Sequence, residues 1–231
     1  MTPDVTAMLA ALDSGAPHVF AGIDVVAYRV DGTDMLFCVD READPIQRNN
    51  RAGKFYEAPE LRWIGQRVKP GATFVDIGAN IGNHGLYFAR KLGAACVIPI
   101  EPNPVAYRLL TANVVLNGLR DVFDLSFLGV GLSDASATGF AVEVRDRNIG
   151  GTKMLHGQGD IAVFAGDELL KCFEPDVIKL DVEGMEMDVL TGLEATITRA
   201  RPILLVEVDT EHDAAFQSWF GARDYIVFKA W

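Results

Sequence analysis

The sequence predicts an α/β protein with a doubly wound, mostly parallel sheet, helices on both faces, and a small N-terminal helix and hairpin extension. Three observations predict it. From Thr73 onward, apolar runs of strand length alternate with helical stretches, as in a parallel sheet buried on both sides. A glycine-rich segment, Asp76-Ile77-Gly78-Ala79-Asn80-Ile81-Gly82, falls where the first of those strands passes into a helix. The 231 residues suit one large domain, and 49% apolar with 23% charged residues is ordinary globular composition, which excludes disorder and collagen-like repeats.

Residues 1–15 read as a short amphipathic helix. Residues 23–39 read as a hairpin, because two β-rich runs flank Asp31-Gly32-Thr33. Residues 40–56 are polar and aperiodic and read as loop. Pro59 then opens a helix through Leu61, Ile64 and Val68, stopped by Lys69-Pro70-Gly71. The strand TFVDIG follows, then a helix over His84–Leu92 closed by Gly93, the strand CVIPIE, and a helix over Pro104–Leu116 closed near Asn117-Gly118. DLSFLGVGL reads as a third strand and DVIKLDVEG as a fourth, with one helix across Met185–Ile197 behind it. Pro202 opens a fifth strand, ILLVEV; Ala214–Phe220 is helical, and YIVFKAW reads as a last strand running to Trp231, with room for a partner strand beyond it. Residues 1–70 are thus an extension and 71–231 a ligand-binding domain. Residues 134–170, with two β-like pieces and a glycine-rich loop, form an insertion.

Lys plus Arg number 21 against 32 Asp plus Glu, a formal charge of −11, which argues against a nucleic-acid partner and an anionic membrane surface. No apolar run approaches the ~18–20 residues that span a bilayer. The first fifteen residues carry acids and no base, unlike a signal peptide. Cys38, Cys96 and Cys172 are widely spaced and form no CxxC pair, which points to a reducing, cytoplasmic setting and against structural zinc. A homo-oligomer is left open.

Glycines at a strand-to-helix turn let the backbone come within contact distance of a ligand and aim free N–H groups at it. Ligands of such sheets lie outside the carboxyl ends of the strands. Glu101 ends the second strand, 25 residues after Asp76, where an acid accepts hydrogen bonds from ribose hydroxyls. Together the two features describe an adenosine-type ligand. A dinucleotide fingerprint would need glycine at positions 80 and 83, and both are asparagine; Asn80 can take the left-handed backbone that glycine would supply. The plainer reading of the glycines alone is a strand–helix turn.

VDIGANIGNHGLYFAR, then IEPNP, then Asn113 and Asn117 resemble the Rossmann-like S-adenosylmethionine-dependent methyltransferases, and more narrowly the FkbM family. IKLDVEGMEMDVLTGL followed by PILLVEV is similar to that family's K-x-D-x-E-G-x-E block and its next strand. Asn148-Ile149-Gly150-Gly151-Thr152 is a weaker match, as is FYEAPEL with Tyr56 and Glu57. The resemblance covers residues 52–208. It implies that Asp76, Gly78, Asn80 and Gly82 hold the methionine and ribose portion of S-adenosylmethionine, Glu101 the ribose diol, and that Asn103 lies beside the adenine edge. Glu57, Asn83 and Asp181 join the same cofactor set. Asn83-His84 departs from the aromatic or small residues usual there. Where the family often carries Glu-x-His, this chain has Glu207-Val208-Asp209, and His212 lies beyond.

Methyl transfer to a hydroxyl is an in-line displacement in which the protein supplies orientation and a proton acceptor. Asp181 and Glu183, at the carboxyl end of the fourth strand, are the candidate bases, with Glu186 one helical step on; their plainer role is capping the next helix. His84, just past the glycine loop, is a third candidate, against simple packing. Asn148, Gly150, Gly151 and His156 are candidate acceptor contacts. His18 has no supporting context. Asp181 and Glu207 end neighbouring strands, but two carboxylates are too common a pairing to specify a metal, and none is assigned. Trp63 and Trp219 read as core. The leading function is therefore O-methylation of a sugar, glycolipid or polyketide-type small molecule. The rivals are a nicotinamide-dinucleotide oxidoreductase, disfavoured by the asparagines and by the lack of a Tyr-x-x-x-Lys pair, and a cofactor-binding protein without turnover.

Overall fold

The computed structural model describes residues 3–14, 22–143, 145, 147–208 and 213–228. Its elements in chain order are helix α1 (Pro3–Asp13), strands β1 (Asp24–Val30) and β2 (Thr33–Val39), helices α2 (Pro45–Arg51) and α3 (Ala58–Gly65), β3 (Thr73–Ile77), α4 (Asn83–Arg90), β4 (Cys96–Ile100) and α5 (Pro104–Leu116). Then come β5 (Gly131–Ser133), β6 (Ala137–Val142), β7 (Met154–His156), β8 (Ile161–Ala165), α6 (Gly166–Leu170), β9 (Val177–Leu180), α7 (Glu186–Gly192), α8 (Glu194–Ala200), β10 (Ile203–Val206) and α9 (Asp213–Gly221).

Three sheets result: the antiparallel hairpin β1-β2, a fully parallel sheet in the order β10-β9-β3-β4, and a mixed sheet in the order β5-β8-β6-β7. The hairpin closes through Asp31 and Gly32, both at positive φ, the two-residue turn whose twist matches paired strands. Alternate residues of the parallel strands enter different cores. Phe74, Val97 and Val177 join Leu86, Phe88, Leu110 and Val114 of α4 and α5, with Val5, Leu9, Met35, Phe37, Leu61 and Ile64 from the N-terminal elements. Val75, Ile77, Ile98, Ile100, Ile178 and Leu180 instead join Val189, Leu190 and Ile197 of α7 and α8 and Phe216, Trp219 and Phe220 of α9. Trp219 is thus core, while Trp63 is only partly buried.

The expected third strand DLSFLGVGL does not join the parallel sheet. Asp124 Oδ1 accepts from the Ser126 N–H and starts a 3₁₀ turn at Leu125–Phe127, and Gly129 at φ +86° breaks the extended run. The segment touches β4 only through isolated bridges at Val97–Phe123 and Glu101–Leu128, and Gly131–Ser133 pairs with β8 instead. Residues 40–56, expected as loop, contain α2, started by Asp44 as N-cap and Pro45 in the first turn. The single helix expected over Met185–Ile197 is two helices that meet at Leu193. Of the expected last strand, Tyr225–Phe228 has no regular secondary structure and 229–231 lie outside the described residues, as do His18 and His212. Among the described residues, no helix is long and apolar enough to cross a membrane.

Candidate functional site

The parallel register carries the strand ends to one level. Ile77 pairs with Leu180 and Ile100, and Leu180 with Val206. The next residues out are therefore Glu207, Asp181, Gly78 and Glu101. With Asp76 two residues back from Gly78, every strand of the sheet ends on or beside a carboxyl group.

Between β3 and α4 the chain turns through Gly78 at φ +73°, Asn80 at +50° and Gly82 at +83°. Glu101 organises this turn: Oε2 accepts from the Asn80 N–H at 2.7 Å and Oε1 from the Asn103 N–H at 2.8 Å. Burial pushes the Glu101 carboxyl up to about 7, against those two hydrogen bonds and the Lys179 charge. Asp76, fully buried, accepts from the Gly85 N–H through Oδ2 at 3.1 Å, while Oδ1 makes no hydrogen bond. Asn80 Oδ1 and Asn83 Oδ1 are also buried without a hydrogen bond. Asn83 Nδ2 donates to the Tyr56 carbonyl at 3.3 Å. Asn103 caps α5 through Oδ1, and its Nδ2 reaches the Ile149 carbonyl at 3.3 Å.

Beside this turn lies an ion cluster. Lys179, inside β9, donates through Nζ to the Gly78 carbonyl at 2.8 Å and to Asp181 Oδ2 at 3.1 Å, with Asp76 Oδ1 at 3.8 Å. Burial works against the Lys179 charge, but Asp181 and Asp76 override it and hold the ammonium above its ordinary range. Burial likewise pushes the Asp181 carboxyl up, yet Lys179 prevails and it sits below the usual carboxylate range. Asp181 also hydrogen-bonds Glu207, whose carboxyl is pushed up to about 7 by desolvation and then by the Asp181 and Glu57 charges. His84 Nε2 lies 2.9 Å from Glu57 Oε2. Burial raises the Glu57 carboxyl, His84 and then Lys179 more than offset it, and the net direction is down. Tyr56 is pushed up to about 12 by burial and by the charges of Glu57, Glu207 and Asp181.

The Asn148–Thr152 segment closes over the turn. A Cβ on Gly150 would lie 2.3 Å from Asn80 Nδ2, and one on Gly151 would lie 3.4 Å from Glu183 Oε1. Asn148 Oδ1 accepts from the Gly151 N–H at 3.0 Å. Asp44 Oδ2 accepts from the Ile149 N–H at 3.0 Å, so an acid of the N-terminal region holds this segment. Glu183 takes a left-handed backbone at φ +54°, and Glu186 Oε1 accepts from the Gly184 N–H at 2.8 Å. α7 has no side-chain hydrogen bond from its N-cap residue, Met185.

Asp76, Gly78, Asn80, Gly82, Asn83, Glu101, Asn103, Glu57, His84, Asp181, Glu183, Asn148, Gly150 and Gly151 therefore lie together about the strand ends and the turn after β3. His156 is not in that group: it is exposed in β7, its ring 4.9 Å edge-on from Phe140. Lys179, the lysine of the K-x-D-x-E-G-x-E block, has no role assigned from the sequence, although a charge inside the apolar run Val-Ile-Lys-Leu is a signal. Asp44 had only its Asp-Pro helix start, while Glu207 was legible as the acid that ends the strand next to Asp181. Among the described residues, no group of three or more His, Cys, Asp or Glu is placed to hold a metal ion.

A family model described as the methyltransferase FkbM domain matches residues 76–228. The chain is 34% identical over 142 residues to the hexuronic acid methyltransferase AglP of Haloferax volcanii, covering 59% of this chain and 56% of that protein. It is 28% identical over 160 residues to the methyltransferase sdnD of Sordaria araneosa, covering 52% and 60%. The chain thus spans a little over half the length of these relatives. Among solved structures, the methyltransferase FkbM from Methylobacillus flagellatus KT aligns at TM-score 0.46 and 19% identity, over 96% of this chain and 65% of that one.

Proposed function

The chain belongs to the FkbM methyltransferase family, and from that premise we propose that it methylates a hydroxyl of a small molecule, using S-adenosylmethionine. The observation that carries this reading is the row of carboxyl groups at the ends of four parallel strands, beside a turn built on Gly78, Asn80 and Gly82.

The residues suit that cofactor. Its sulfonium and ammonium are cations, and the crevice offers Asp76, Asp181 and Glu57 against one buried ammonium. Asn80 Oδ1 and Asn83 Oδ1 are buried acceptors in need of a donor. Asp76, Gly78, Asn80, Gly82 and Asn83 would hold the methionine and ribose portion, Glu101 the ribose hydroxyls, and Asn103 the adenine edge. Glu57 and Asp181 would complete the set. The cofactor supplies, when bound, a methyl group on a cationic sulfur. The chain's own residues hold the ends of the reaction in line and accept a proton. Asp181 is kept ionised by Lys179, Glu183 stands beside the Gly150-Gly151 segment, and His84 is oriented by Glu57.

The acceptor we propose is a sugar, glycolipid or polyketide-type molecule, met by Asn148, Gly150 and Gly151, with His156 left out because it stands apart in β7. AglP, a hexuronic acid methyltransferase by name, supports a sugar. The domain reading is part of the proposal: residues 71–231 as the cofactor-binding domain with a 134–170 insertion, residues 1–70 as its extension. So is a doubly wound sheet with helices over both faces, which the two core clusters support. A cytoplasmic setting without a nucleic-acid partner accords with the net charge of −11.

Calorimetry tests the cofactor. S-adenosylhomocysteine is expected to bind and NAD not to, and Glu101→Ala to weaken binding by ~1–3 kcal/mol through loss of a charged acceptor. Unchanged affinity in a folded Glu101→Ala variant counts against this placement.

A further inference from the structure

Three ionisable groups stand in order of depth at the ends of β9 and β10. The Lys179 side chain is 5% exposed and that of Asp181 30%, while Glu207 is the exposed member. Backbone bonds fix the two acids: Asp181 N–H donates to the Ile77 carbonyl at 3.2 Å and Glu207 N–H to the Leu180 carbonyl at 3.0 Å. Asp181 and Glu207 follow paired residues of neighbouring strands, and like charges in contact resist ionising together, so below about 7 the pair retains one proton. Lys179 decides where it resides. Its ammonium lies on Asp181, so Asp181 keeps the charge and Glu207 the proton.

We propose that Glu207 receives the acceptor's hydroxyl proton during methyl transfer, with Asp181 as its hydrogen-bonding partner and Lys179 as the residue that positions the pair. The proposal rests on the methyl-transfer reading. In the step, an oxygen–carbon bond forms to the acceptor while the donor's carbon–sulfur bond breaks, its electron pair staying on sulfur. The hydroxyl proton passes to the ionised Glu207 carboxylate, and nothing is oxidised or reduced. Solvent then takes the proton from the exposed carboxyl. Glu57, Tyr56 and Lys179 are the other ionisable groups that act on Glu207, and His84 acts on Asp181. Desolvation and the Asp181 and Glu57 charges set Glu207 to about 7, so near neutral pH a substantial fraction of it is ready to accept a proton.

Two measurements test this on the full chain. The first is transfer of tritiated methyl from S-adenosylmethionine to glucuronic acid between pH 5.5 and 9, with S-adenosylhomocysteine affinity measured on the same preparations. The wild-type rate should rise with pH along a limb near 7. Glu207→Gln should be ~100-fold slower or worse and lack the limb, with affinity for S-adenosylhomocysteine within about twofold. Lys179→Met should move the limb to higher pH and Lys179→Arg should restore it. The second, free of any acceptor, is carbon NMR of labelled glutamate carboxyls. A signal titrating near 7 should vanish in Glu207→Gln and move down in Asp181→Asn, with Glu101 supplying the other high signal. The assignment is overturned if Glu207→Gln keeps the limb or works within about tenfold of wild type. It is also overturned if no glutamate signal near 7 is lost in that variant. A wild type that binds S-adenosylhomocysteine but methylates nothing overturns the methyl-transfer reading instead, and the proton role falls with it.

Discussion

A side chain at position 78 has nowhere to go. At φ +73° a Cβ would sit 1.8 Å from the Asp181 carbonyl oxygen, so the turn after β3 can lie against the end of β9 only as glycine. Gly78→Ala should therefore cost more than ~2 kcal/mol in urea unfolding, the left-handed penalty adding to the overlap. Asn80→Gly should cost under ~1 kcal/mol, because glycine keeps the φ of +50°, yet it should weaken S-adenosylhomocysteine binding by removing the amide. Glu101 gives a pH signature. Its folded value of about 7 exceeds the ordinary 4.5, so its favourable contribution is full below 4.5 and is lost as pH rises through 7. The urea midpoint should fall between pH 5 and 8, and this fall should become shallower in Glu101→Gln, with Glu207 supplying the rest. An unchanged slope would mean that Glu101 ionises freely in the fold. These residues were legible because they stand at fixed offsets from a strand end. Lys179 was not: an ammonium in an apolar strand makes sense only once Asp76, Asp181 and the Gly78 carbonyl surround it.

Helix α5 acts on β2 as a strand would. Asn113 Oδ1 accepts from the Cys38 N–H at 2.6 Å and Asn117 Oδ1 from the Leu36 N–H at 3.1 Å, while Asn117 Nδ2 donates to the Leu36 carbonyl at 2.8 Å. Four residues of helix rise ~6 Å and two of strand ~6.6 Å, so an i, i+4 pair of amides matches alternate strand residues. That covers an edge which would otherwise leave backbone groups unpaired. Asn113 Nδ2 also reaches the Ile81 carbonyl at 2.8 Å, tying the hairpin to the glycine turn. Asn113→Ala should cost ~1–3 kcal/mol, as buried groups on both sides lose partners. Thermal unfolding reads this, and a loss under ~0.5 kcal/mol would show that water replaces the amide. The sequence displayed the asparagine spacing without its purpose. It likewise displayed an apolar run at 124–132 without saying whether β4 or β8 would pair with it. Strand periodicity reports burial and not partners, and Gly129 and Asp124 settle the outcome locally. Helix α2 has no signal in the sequence because five of its seven residues are polar and the lone Ile46 sets no period.

Over the whole molecule, one wall of the crevice is assembled from parts distant in sequence. Asp44 and Ile149 are 105 residues apart, and Asn103 reaches the Ile149 carbonyl from 46 residues away. No local pattern could forecast such a junction, whereas the β3–turn–α4 unit and the acid after β4 were readable because they are contiguous. Asp44 is the acid at the junction. It receives the Ile149 N–H through Oδ2 and the Gln47 N–H through Oδ1 at 3.0 Å, and it is 1% exposed. Asp44→Ala should leave two buried donors without acceptors, at ~1–3 kcal/mol each before water enters. The Asn148–Thr152 segment has few apolar anchors besides Ile149, so that cost should appear as local opening and not as global unfolding. Hydrogen exchange should therefore show amides 149–151 losing protection while those of β3, β4 and β9 keep theirs. Because Gly150 lies against Asn80, S-adenosylhomocysteine affinity should fall in parallel. Faster exchange with unchanged affinity would restrict the segment to the acceptor side of the crevice. Unchanged exchange would mean that Asn103, not Asp44, holds the segment in place.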